Sequence, residues 1–162
     1  MSTPKFRYYE DNVVPYALFN ELAKKLDALK EQHQLSVTNS DFTKSAVESA
    51  HKKISKTFQA LIFCMEELGV WLALKAAESL SSIDIETFSW GNSGDQIVKK
   101  FISATVLTLQ CCVPSDPQWT IGDNMNSDME LRLLTSKVSC LIDCLLEYKH
   151  FTEMRCIVFV ER

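Results

Sequence analysis

Ala46, Ala50, Ile54, Phe58, Leu61, Met65 and Leu68 recur at steps of three and four, with Ile62 beside the row. This spacing keeps one apolar face through about seven helical turns. A strand cannot use that period, so the segment is a long helix whose face must be buried against other helices. Ser40 or Asp41 is its expected cap, and Gly69 ends or bends it. The residues that follow, Val70 to about Leu80, are apolar nearly all round, the pattern of a helix at the centre of a bundle.

The rest of the chain repeats the theme. Leu18, Leu22, Leu26 and Leu29 line one side of a helix from Tyr16 to Gln34, with Phe19 beside them and Lys24, Lys25, Asp27, Lys30 and Glu31 opposite. Ile97, Val98, Phe101, Ile102, Thr105, Leu107 and Leu109 carry a further helix to Val113, stopped by Pro114 and Pro117. Ser115 to Asp128 is polar and turn-rich, with Trp119 as its one large anchor. Thr135 caps a fifth helix with Val138, Leu141, Ile142, Leu145 and Leu146 inward, ending near Lys149 and His150. Two short runs favour strands: Phe6 to Tyr9, and Cys156 to Val160, the latter of the kind buried on both faces of a parallel sheet.

With 162 residues, 46% hydrophobic, 23% charged and only four Gly and four Pro, the chain is neither disordered nor low-complexity, and a turn-rich sandwich is disfavoured. The expected architecture is mainly α, a helical bundle of about five helices. Residues 1–13 form an extended lead-in, 14–134 the helical module, and 135–162 the opening helix and strand of an α/β domain that continues beyond Arg162. A lone buried-type strand cannot satisfy its ladder hydrogen bonds, which is the reason for that continuation. The competing reading is a self-contained α-helical regulatory or scaffold protein whose last strand pairs with Phe6 to Tyr9.

The net charge of −4 argues against a surface that binds phosphate backbones everywhere and leaves room for a local basic stripe. His51, Lys52, Lys53 and Lys56 supply one on the second helix, where Lys52, Lys53 and Lys56 share one side and are candidate contacts for a phosphate backbone, the alternative being an ordinary charged face. Lys24-Lys25 and Lys99-Lys100 are weaker versions. His33, His51 and His150 are expected at solvated positions. Glu66 with Glu67, Asp84 with Glu86, and Asp123 with Asp128 are carboxylate pairs without a companion base or metal triad, and are expected to be solvated. Cys140 and Cys144 stand four apart, where two thiolates can share a zinc, but no second ligand pair follows, so core packing is favoured. The six cysteines lack C-x-x-C spacing and the N-terminus lacks an apolar signal region, which suggests a reducing compartment, nucleus or cytoplasm. No apolar run reaches the roughly 18 residues of a membrane span, so no membrane partner is expected.

Thr135-Ser136-Lys137-Val138, Leu141-Ile142, Leu145 to Tyr148 and Arg155 to Arg162 together resemble the start of the second RecA-like helicase lobe of plant Dicer-like ribonucleases. The block from Leu61 to Glu78 is similar to the helical insertion between the two helicase lobes of that family, and the second Dicer-like type is the nearest. The resemblance implies a parent that cuts double-stranded RNA into small interfering RNAs, with an ATP- and Mg-dependent helicase whose motifs lie outside this sequence. The implied role of the fragment is non-catalytic, with no cofactor of its own. Its implied partners are double-stranded RNA, a protein with double-stranded-RNA-binding domains, and the flanking helicase lobes. Arg162, at the family's strand-end motif, joins Lys52, Lys53 and Lys56 as an RNA-proximal candidate.

Overall fold

The computed structural model describes residues 16–82 and 94–148, together with Tyr8. The described residues hold six helices: α1 Tyr16–Thr38, α2 Lys44–Leu68, α3 Val70–Ser81, α4 Gly94–Gln110, α5 Met125–Glu130 and α6 Ser136–Leu146. The first four pack as a bundle in which α4 lies against α1, α2 and α3. No strand occurs among the described residues; the expected strands at 6–9 and 156–160 fall outside them, apart from Tyr8, as do residues 83–93 and Arg162.

The apolar row of α2 does what its period requires. Ala50, Ile54, Leu61 and Met65 are buried, while Phe58 and Ile62 pack half-buried at the core's edge. The core has two parts. One gathers Leu22 and Leu26 of α1, Leu61 and Met65, the α3 residues Val70, Ala73, Leu74 and Ala77, Leu109 of α4, and Leu133. The other joins Val37, Ala50 and Ile54 to Ile97, Val98, Phe101 and Ile102. Val37 explains why α1 runs one turn beyond the expected Gln34: its side chain is fully buried in the second cluster, and that burial outweighs the polar sequence around it.

Other expectations are corrected. Thr43, not Ser40 or Asp41, caps α2, accepting from the Ala46 amide at 3.2 Å because the helix starts at Lys44, while Ser40 Oγ donates back to Ser36 O at 2.7 Å. The α3 helix is less central than its composition implies: Lys75 is exposed, and its ammonium sits 5.2 Å from the ring centroid of the half-buried Trp71. Leu107 of α4 is 65% exposed, and Leu141 and Leu146 of α6 also face out; among the described helices α6 packs chiefly on α2. The stretch expected to be turn-rich contains α5, a short helix capped by Asn124, whose side chain accepts from the Ser127 amide at 3.1 Å.

At the α2–α3 junction Gly69 adopts φ 104° and donates its N–H to the carbonyls of Cys64 and Met65. The first amides of α3 find distant partners: Val70 N–H donates to Arg132 O at 2.8 Å and Trp71 N–H to Leu133 O at 3.0 Å. The strip 132–134 therefore caps α3 from outside the helix. The next residue, Thr135, does double duty, accepting from the Val138 amide and donating its hydroxyl to Glu67 O at 2.8 Å. Thr135→Ala should cost about 1–2 kcal/mol in urea unfolding, from the lost cap and the lost tie to α2. Thr135→Ser, which keeps the oxygen, should cost well under half of that.

Candidate nucleic-acid interface

Lys44, Glu48, Lys52 and Lys56 are all exposed and follow one another at four-residue steps along the solvent face of α2. Lys52 and Lys56 thus stand one turn apart with nothing acidic between them. Further along the same face come Gln59, Phe63, 48% exposed, and Glu66, so the basic character belongs to the N-terminal half of the helix. The sequence reading missed Lys44 and Glu48, although both follow from the same four-residue step.

Lys53 does not share this face. One residue on from Lys52 it is rotated by about 100°, and its Nζ meets Asp95 Oδ1 of α4 at 2.6 Å. Asp95 is 4% exposed, and its second oxygen, Oδ2, has no hydrogen-bond partner. Lys53 is therefore the counter-charge of a buried carboxylate. His51 is likewise turned inward: its Nε2–H donates to Gln34 O at 2.9 Å, while Gln34 Nε2 donates to His51 O at 3.2 Å and Ser55 Oγ at 2.9 Å. This reciprocal pair braces α1 against α2. His33 donates from Nδ1 to Leu29 O at 2.7 Å and presents its ring edge-on to Phe101, so neither histidine is the solvated group expected of it. Of the other basic positions, Lys24, Lys25 and Lys100 are exposed and Lys99 is half-buried. The stripe that a phosphate backbone can reach is thus Lys52 and Lys56, with Lys44 two steps before Lys52 and Glu48 between them.

Searches against known proteins find relatives along nearly the whole chain. It is 37% identical over 164 residues, 99% of its length, to "Endoribonuclease Dicer homolog 2" of Arabidopsis thaliana. It is 33% identical over the same share to "Endoribonuclease Dicer homolog 2b" of Oryza sativa subsp. japonica, and 34% identical over 95% to "Endoribonuclease Dicer homolog 2a" of the same species. The chain is homologous to one segment of the plant Dicer-like proteins of the second type. It spans only 11–12% of the length of these relatives. No protein-family model matches it, and no solved structure does.

Among the described residues no group of three or more His, Cys, Asp or Glu is arranged to hold a metal ion. Asp128, expected to be solvated, is 1% exposed: its Oδ2 accepts from the Gly122 amide at 2.8 Å, and its carbonyl accepts from Leu133 and Leu134. Glu67 forms an ion pair with Lys137, while Glu66 and Asp123 are exposed. Burial pushes the Cys64 thiol above its ordinary value, and it does the same to Cys112 against the opposing influence of Lys25, which keeps both in the unreactive thiol form at neutral pH. Among the described residues no helix is long and apolar enough to cross a membrane.

Proposed function

We propose that this chain is a non-catalytic helical module set between the helicase lobes of a Dicer-like endoribonuclease that processes double-stranded RNA into small interfering RNAs. The observation that carries the reading is its similarity, over 99% of its length, to a segment of proteins named as Dicer endoribonucleases. In this reading the module contacts duplex RNA and docks a protein with double-stranded-RNA-binding domains. ATP and Mg²⁺ act in the helicase of the parent. The site of RNA contact is the exposed stripe of Lys52 and Lys56, with Lys53 excluded because it neutralises Asp95.

Titration of the chain against a fluorescent RNA duplex over a salt series tests this. Each phosphate contact contributes close to one unit to the slope of log K against log salt, so Lys52→Glu with Lys56→Glu should reduce that slope by about two and weaken binding at least ~10-fold at low salt. Binding that survives the double reversal unchanged would place the RNA elsewhere. No binding to the wild-type chain at low salt would leave protein docking as the module's role.

A further inference from the structure

Arg132 is strained in two ways. It adopts φ 62°, a left-handed conformation that glycine enters freely and a residue with a Cβ does not, and it is the one non-glycine among the described residues with a positive φ. Its guanidinium is also drawn out of water: the residue is 8% exposed, and Nε and Nη1 are buried without a hydrogen-bond partner. A guanidinium keeps its charge at physiological pH, so both costs persist for as long as the residue stays in place. Both disappear when the backbone at 132 relaxes and the side chain returns to water.

The segment that carries Arg132 is braced from within. The Asp128 carboxylate accepts from the Gly122 amide at 2.8 Å, and the Asp128 carbonyl accepts from Leu133 at 2.9 Å and Leu134 at 3.3 Å. A separate set of contacts holds this segment to the bundle: the bonds from Val70 and Trp71 to Arg132 O and Leu133 O, the burial of Leu133 and Leu134, and the Thr135 hydroxyl on Glu67 O. The next tie, the Lys137–Glu67 ion pair, is more than a third exposed on both sides and is screened by solvent. The first turn of α3 also has a bond of its own, from the Ala73 amide to Gly69 O at 3.2 Å.

We infer that residues 122–135 form a releasable latch, docked on the α2–α3 junction in this structure and able to come off as a unit, so that α6 moves while α1–α4 stay folded. The strain at Arg132 acts only in the docked form and therefore shifts the balance towards release. The burial of Leu133 and Leu134 acts the other way, so the released form is a minor one, less populated than the docked fold and more populated than the unfolded chain. The latch uses neither Lys52 nor Lys56, and it stands or falls separately from the RNA reading.

Native-state hydrogen exchange of the 162-residue chain, followed by ¹H–¹⁵N NMR over a series of low urea concentrations, tests this. The Val70 and Trp71 amides report release of the latch, Ala73 reports the integrity of the start of α3, and Ile54 and Phe101 report global unfolding. After correction for intrinsic rates, Val70 and Trp71 should exchange at least ~10-fold faster than Ile54 and Phe101, with less than about half their dependence on urea, while Ala73 stays with the slow pair. Arg132→Met, which removes the buried charge and keeps an apolar side chain of similar reach, should slow Val70 and Trp71 by ~10-fold. Exchange of Val70 and Trp71 at the rate and urea dependence of Ile54 and Phe101 in the wild-type chain overturns the inference without reliance on any variant's folding. Ala73 exchanging together with them also overturns it, by making the event a fraying of α3. Exchange left unchanged or accelerated by Arg132→Met overturns the part given to Arg132 in driving release.

Discussion

Gly69→Ala should lower the unfolding free energy by about 3–5 kcal/mol, a loss reserved for a few identifiable mechanisms, two of which coincide here. The first is conformational. Gly69 holds φ 104°, which costs any residue with a Cβ about 1–2 kcal/mol. The second is steric, because a Cβ placed on this backbone would stand 2.6 Å from Leu133 O and 2.9 Å from Leu134 Cα. Those are backbone atoms and cannot swing aside, so the strip 132–134 must withdraw. Withdrawal breaks the bonds from Val70 and Trp71 to Arg132 and Leu133 and leaves buried amides at the start of α3 unsatisfied. Gly122 provides the control: it has φ 90° with nothing within 4 Å of its would-be Cβ, so Gly122→Ala should show the conformational part alone, about 1 kcal/mol. Urea unfolding of both variants measures the difference; similar midpoints would mean that the junction yields without cost.

That junction marks where the sequence stops being legible. Gly69 announces a break by its type and by the end of a periodic row. Nothing near it in the chain announces Leu133, more than sixty positions on, as the surface pressed against it. The helices themselves are local events. The α2 row is read directly from Ala50, Ile54, Leu61 and Met65, and the α6 cap from Thr135, because each depends on residues within a turn or two. The misplaced features all depend on distant partners. Val37 extends α1 because α2 and α4 surround it, and His51 turns inward because Gln34 is there to pair with. Asp128 is buried because its carboxylate and carbonyl hold the turn that brings Leu133 into the core. The burial of Arg132 has no sequence signal at all, since a lone Arg between Leu131 and Leu133 reads as a surface residue.

Of the three lysines whose spacing suggests one stripe, Lys52 and Lys56 share an exposed face while Lys53 turns to Asp95, and the difference is measurable. Lys53→Glu should destabilise the fold by about 2–4 kcal/mol, because it removes the counter-charge of a buried carboxylate and sets a second carboxylate against it. The estimate is held down by the 40% exposure of the Lys53 side chain, through which solvent screens the pair; Asp95, at 5%, has no such relief. Lys52→Glu and Lys56→Glu, on the open face of α2, should each stay within about 0.5 kcal/mol of wild type. Adding Asp95→Asn to Lys53→Glu should recover part of the loss, since the repulsion disappears while the burial of a polar group remains. Thermal and urea unfolding of the four variants decides the matter. If Lys53→Glu unfolds with Lys52→Glu and Lys56→Glu, the Lys53–Asp95 pair contributes nothing in solution and Lys53 returns to the group of candidate phosphate contacts. If it unfolds well before them, loss of RNA binding in any variant carrying Lys53→Glu reports a damaged α2–α4 contact, and only the Lys52 and Lys56 reversals probe the RNA surface.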